Sequence, residues 1–112
     1  MISVEREFRD LQKLFLRGTG ERLEEMARDL KRLDRGAERK QAASALYRHV
    51  HALAGLGASY GYPEISWIGE SGERLADELM TTAEASSADA LFLLGLIVES
   101  FHDALSRTPE PS

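Results

Sequence analysis

The 112-residue chain contains no cysteine, three prolines and a single tryptophan. Without cysteine there is no disulfide framework and no thiolate metal site. The prolines are Pro63, Pro109 and Pro111, so residues 1–62 and 64–108 are free of them. That distribution suits long helices, because proline interrupts a helix interior. No alternation of apolar and polar residues is sustained, so no strand is expected. No apolar run approaches the roughly 20 residues of a membrane-spanning helix. The opening residues, MISVEREFRD, lack the basic start and apolar stretch of a signal peptide, and a cytoplasmic protein is expected. The net charge of −5 argues against nucleic acid as the main partner. What remains is a chain with 43% hydrophobic residues, enough for one folded domain with its own core.

The apolar residues recur at helical spacing. Val4, Phe8, Leu11, Leu14 and Phe15 form a first stripe. Gly18 and Gly20 interrupt it, with Thr19 between them as a candidate N-cap. The stripe resumes at Leu23, Met26, Ala27, Leu30 and Leu33, with Glu21, Arg22, Glu24, Glu25, Arg28 and Asp29 on a solvated outer face. Asp34-Arg35-Gly36 reads as a stop. A second helix is expected from about Glu38 to Tyr60, with Leu46, Val50, Leu53, Gly57 and Tyr60 facing inward. Gly61 ends it and Pro63 opens a third helix that runs to about Met80 and buries Ile65, Ile68, Leu75, Ala76 and Leu79. Ser86 or Ser87 can cap a fourth, whose stripe is Leu91, Leu94, Ile97, Val98, Phe101 and Leu105. The expected fold is all-α, an antiparallel four-helix bundle over residues 1–106 with a flexible tail at 107–112. Residues 3–17 are either an extra helix or an extension of the first.

The stretch HALAGLGASYGY, residues 51–62, thins a helix surface almost to backbone. A glycine inside a helix costs about 1 kcal/mol relative to alanine. With Leu46 at zero and 100° per residue, the core arc holds Val50, Leu53, Gly57 and Tyr60, while His51 falls at about 140° and Gly55 at about 180°. Gly57 on the core side suits close helix packing. Gly55 points away from the core, so it gains no packing within the monomer. Together with Ala54 and Ala58 it leaves the His51 imidazole on a bare patch, which makes sense where another molecule must come close. His49 falls at about 300°, on the other flank. The two histidines therefore do not share a face as metal ligands on one helix would. His49 and His102 are expected to be partly buried packing residues.

HALAGLGASYGYPEI resembles the signature of the histidine phosphotransfer (HPt) domain: His-x-Leu-x-Gly, a run of small residues, and a glycine ten positions after the histidine. Here these are His51, Leu53, Gly55 and Gly61. The following ISWIGESGERL resembles the third helix of such domains. The resemblance implies a four-helix bundle whose histidine takes a phosphoryl group from a receiver-domain aspartate or a histidine kinase and returns it to another receiver. His51 matches that histidine, with Nε2 as the reacting atom. The implied protein is a stoichiometric carrier and not a turnover enzyme. It has no cofactor of its own, since Mg²⁺ comes with the receiver. The implied partners are receiver domains, a sensor histidine kinase, or both.

Two positions qualify the resemblance. Many members carry a lysine three residues after the histidine, and Ala54 stands there. Arg48, three residues before His51 and on roughly the same face, is a possible substitute cation beside the phosphate. A group behind the imidazole is also expected. The chain returns to the height of His51 about 10–12 residues after Gly61, at Ser71 to Glu73. The resemblance assigns the steadying polar side chain to Glu73. A non-phosphorylated helical adaptor of the same fold, and a plain dimerisation bundle, are the alternative readings.

Overall fold

The structure, a computed structural model, describes residues 3–35, 38–81 and 87–111. Among these residues the chain forms four α-helices and no strand: α1 (Val4–Asp34), α2 (Arg39–Leu56), α3 (Pro63–Thr81) and α4 (Ser87–Arg107), with a short 3-10 turn over Ala58–Tyr60. The helices form a ring in which α1 packs on α2 and α4, and α3 packs on α2 and α4, while among the described residues the diagonal pairs lie farther apart. Leu23, Met26, Leu46, Val50, Leu53, Ile65, Leu94 and Phe101 fill the centre.

Local chemistry sets the ends of α1. The Ser3 hydroxyl accepts from the Arg6 N–H at 3.1 Å, Glu5 and Glu7 lie in the first turn, and Lys31 and Arg32 lie in the last. Each charge opposes the partial charge at its end of the helix. Between those ends α1 is unbroken, which corrects the interruption expected at Gly18-Thr19-Gly20. Thr19 does not cap a helix. It is buried mid-helix and its hydroxyl donates to the Phe15 carbonyl at 2.8 Å. With that hydroxyl satisfied, Leu16, Thr19, Leu23 and Met26 keep one buried face in phase across both glycines. Residues 3–17 are thus the first half of α1.

The stripe expected to be buried in that half is largely exposed. Val4 is 81% and Leu14 59% accessible, Phe8 and Leu11 are also exposed, and Leu16 takes the core position. Part of the cause is length: the 31 residues of α1 span about 46 Å against about 27 Å for the 18 residues of α2, so the first turn at Val4 outruns its neighbour. Leu11 and Leu14 instead line an open groove facing Leu56 and Tyr60, and Phe8 stacks on Tyr60 with centroids 6.4 Å apart. Phe15 is the exception, half-buried and stacked on Tyr60 and Tyr62. Asp29, expected on the solvated face, is buried and bound by Arg32 at 2.8 Å. Arg32 also reaches Glu38 at 2.6 Å, tying the end of α1 to the start of α2.

α2 ends at Leu56, before the expected Tyr60, because the chain tightens. The Tyr60 and Tyr62 N–H groups both donate to the Gly57 carbonyl, at 3.2 and 2.8 Å. Gly61 then adopts φ +89°, the left-handed region that glycine enters without steric cost, and Pro63 opens α3 as expected. At the start of α4, Ser87 is the first helical residue and Ser86 lies outside the described residues. The helix reaches Arg107, whose guanidinium pairs with Glu64 of α3 at 2.6 Å.

The closest approach in the bundle is between α2 and α3. A Cβ on Gly69 would lie 2.6 Å from the Ala54 nitrogen and 2.9 Å from the Val50 carbonyl oxygen. One on Gly72 would lie 2.8 Å from Val50 Cγ1, and one on Gly57 2.7 Å from the Ser66 nitrogen. α3 therefore buries Ile65, Ser66, Gly69, Gly72, Ala76 and Leu79, while the expected Ile68 and Leu75 are only half-buried. Alanine at position 69 meets backbone that cannot move aside, so Gly69→Ala is expected to destabilise the fold by about 1–3 kcal/mol. Gly55→Ala, whose Cβ enters open space, is expected to stabilise it by about 1 kcal/mol. Urea denaturation of both variants checks the contrast, and equal effects would refute it.

Candidate functional site

His51 stands on the outward side of α2, its side chain 65% exposed. Its Nδ1 lies 3.3 Å from Glu73 Oε1 on α3. That reach depends on the glycine seam, because Gly69 and Gly72 let α3 lie against the α2 backbone at Ala54 and Val50. The Ala58 N–H, donating to Ser66 Oγ at 2.7 Å, locks the two helices at the turn end of the same seam. With its Nδ1 edge toward Glu73, the ring directs its Nε2 edge toward solvent. One turn ahead, Gly55 has nothing within 4 Å of where a Cβ would be, and Ala58 is exposed. The clearance beside His51 is therefore real space, as the helical angles indicated.

The other expected site residues sit as follows. Ala54 is half-buried, its backbone against Gly69, so it belongs to the seam as well as to the rim of the patch. Arg48 is exposed and its guanidinium donates to Ser44 Oγ one turn back, at 3.4 Å. His102 is exposed on α4, which corrects the expectation of a partly buried residue. Two arrangements were missed by sequence reasoning. The Tyr47 ring stacks on the His51 ring with centroids 5.7 Å apart and planes 10° apart. The signal was available, since residues four apart on a helix are neighbours. The second is a groove of about 300 Å³ between α1 and α2, lined by Leu11, Leu14, Phe15, Leu56 and Tyr60 among others.

The chain matches the Hpt domain family over residues 10–107. It belongs to that family, as the signature around His51 implied. Membership brings a phosphotransfer role in two-component signalling, performed by phosphocarrier modules that work with receiver domains and kinases. No curated protein and no solved structure matches the chain. Among the described residues no helix is long and apolar enough to cross a membrane.

His49, two residues before His51, has the opposite surroundings. Its side chain is 14% exposed, with Nδ1 3.1 Å from Arg22 Nη1 and Nε2 3.0 Å from Glu25 Oε2. Arginine can only donate and an ionised carboxylate can only accept, so the neutral ring with its proton on Nε2 satisfies both. Burial lowers the His49 pKa below the ordinary imidazole value, Glu25 partly offsets this, and Arg22 adds to it. A group with a depressed folded-state pKa binds its proton more readily unfolded, so stability rises with pH across the gap. The contribution is complete above the unfolded value near about 6.5 and is lost as pH falls through the folded one. The urea midpoint is therefore expected to drop on acidification through this window. His49→Gln, whose amide accepts from Arg22 and donates to Glu25, should flatten that dependence. An unchanged slope in the variant would refute the assignment.

Proposed function

We propose that the protein is a cytoplasmic carrier of a two-component phosphorelay that accepts a phosphoryl group on His51 and exchanges it with the aspartate of receiver domains. The observation that carries this reading is the pose of His51: an exposed imidazole, backed at Nδ1 by Glu73 and flanked by the open space at Gly55. The Glu73 carboxylate, 3.3 Å from Nδ1, favours the tautomer with its proton on that nitrogen and the lone pair on Nε2. In the transfer the Nε2 lone pair attacks the phosphorus of the receiver's aspartyl phosphate. The P–N bond forms as the P–O bond breaks, and the aspartate carboxylate leaves with the bonding pair. The ring becomes transiently cationic, and Glu73 offsets that charge from behind. Such a transfer needs in-line placement and charge stabilisation more than protein acids or bases, and the receiver brings the Mg²⁺. A protruding imidazole with room around it is sufficient.

The surface suits a large partner. Leu11, Leu14 and Leu56 are exposed along the α1–α2 groove, Leu56 directly follows Gly55 in the chain, and such clustered exposed apolar residues mark a protein contact. The receiver lies there with its aspartate over His51, and Ala54, Gly55 and Ala58 provide the clearance.

Incubation with a phosphorylated receiver should give an acid-labile, base-stable adduct in the wild type. His51→Gln should give none, His49→Gln should label normally, and Glu73→Ala should label slowly with an intact fold. Gly55→Leu should fold and yet transfer slowly, because leucine obstructs the partner. Labelling that survives His51→Gln would sink the assignment, whereas a receiver that binds wild type and His51→Gln equally without any transfer would favour the adaptor. The missing lysine bears on lifetime. Ala54→Lys should slow the decay of phospho-His51 in buffer, and Arg48→Ala should hasten it if Arg48 swings to the phosphoryl oxygens. Equal decay in all three proteins would remove the electrostatic argument.

A further inference from the structure

We infer that Tyr47 is a positioning residue that fixes the plane of the His51 imidazole for phosphoryl transfer. The inference rests on the reading of His51 as the acceptor. An exposed histidine on a helix surface has two side-chain torsions to lose before its Nε2 can meet phosphorus in line. Glu73 restrains the ring at one edge only, through a 3.3 Å contact at Nδ1. A contact at one edge leaves the ring free to tilt about the line joining Nδ1 to the carboxylate. The Tyr47 ring removes that freedom. It lies one turn before His51 on α2, its centroid 5.7 Å from the imidazole and its plane within 10° of parallel. This is an offset stack, the arrangement that aromatic quadrupoles favour.

Tyr47 can serve as a platform because it is itself held. It is half-buried and packs against the core cluster. A freely moving surface ring would lose as much entropy in the stack as it removed from its partner. The two restraints come from different directions, the face from α2 and the edge from α3, and together they define the direction of the Nε2 lone pair. The stack also acts during the transfer. As the P–N bond forms, the imidazole becomes cationic, and the electron-rich face of an aromatic ring attracts a cation laid over it.

The test uses the full chain and two variants. Tyr47→Phe keeps the stacking face. Tyr47→Leu keeps apolar packing against the core and removes the face. In NMR spectra of the unphosphorylated protein, the His51 ring protons should show a ring-current shift in wild type and Tyr47→Phe, and lose it in Tyr47→Leu. In single-turnover uptake from a phosphorylated receiver, Tyr47→Leu should lower the saturating rate about tenfold with the half-saturating concentration unchanged, and Tyr47→Phe should stay within about twofold of wild type. Phosphoramidate, a small donor that does not dock, should show the same ranking. A Tyr47→Leu protein that labels at the wild-type rate from both donors would overturn the inference, as would unchanged His51 resonances. Failure of the wild type to label from either donor would instead refute the acceptor reading, and the resonances would still decide whether Tyr47 holds the ring.

Discussion

The bundle depends on the seam where α3 lies against the backbone of α2. Gly57, Gly69 and Gly72 have no side chains to hold the helices apart, and at each of them a Cβ would stand under 3 Å from an atom of the facing segment. The seam brings a carboxylate on one helix to an imidazole on the other, so Glu73 meets Nδ1 of His51 at 3.3 Å. It also sets the register, through Ser66 Oγ and the Ala58 N–H. Larger side chains at the contact would hold the two helices farther apart and weaken this contact. Packing and site geometry are consequences of the same three missing side chains.

Two histidines separated by one residue show how little residue type alone decides. His49 and His51 point about 160° apart around α2, given 100° per residue. That rotation carries His49 into the α1 side, where Arg22 and Glu25 occupy both of its nitrogens. It carries His51 to the surface, where one edge meets Glu73 and one face meets Tyr47. The first imidazole is held neutral between a donor and an acceptor and contributes to the cohesion of α1 and α2. The second has a ring nitrogen available to a partner.

Much of this was legible in the sequence where helical periodicity speaks. The four helices, the start at Pro63 and the outward angle of His51 follow from spacing and turn chemistry, whereas α2 stops at Leu56, short of the end expected at Gly61. Counting residues back along the third helix narrows the height of His51 to Ser71–Glu73, and the family resemblance selects Glu73 within that window. The errors fall where tertiary context overrides local signals. Gly18-Thr19-Gly20 looks like a break, yet Thr19 satisfies its own hydroxyl within the helix and enters the core. The stripe from Val4 to Leu14 has core periodicity, but periodicity carries no information about whether a neighbour closes over it; Leu11 and Leu14 line an open groove. Gly69 and Gly72 carry no periodicity signal of their own, because the side chains and backbone they accommodate belong to another element. Tyr47 went unnoticed because its ring contacts a residue already assigned a role of its own.

All the atoms gathered around His51 come from residues 47–73, one continuous helical hairpin closed by the tight turn at Gly57–Tyr62. Their contacts are short in sequence separation, and local contacts form early and quickly in folding because little loop entropy is lost in closing them. Assembly of the site thus does not wait for the chain termini to find each other. The outer helices supply core and surface around a hairpin that already carries its own geometry. Substitutions along α1 and α4 are consequently free to reshape the bundle's exterior without redrawing the geometry around His51.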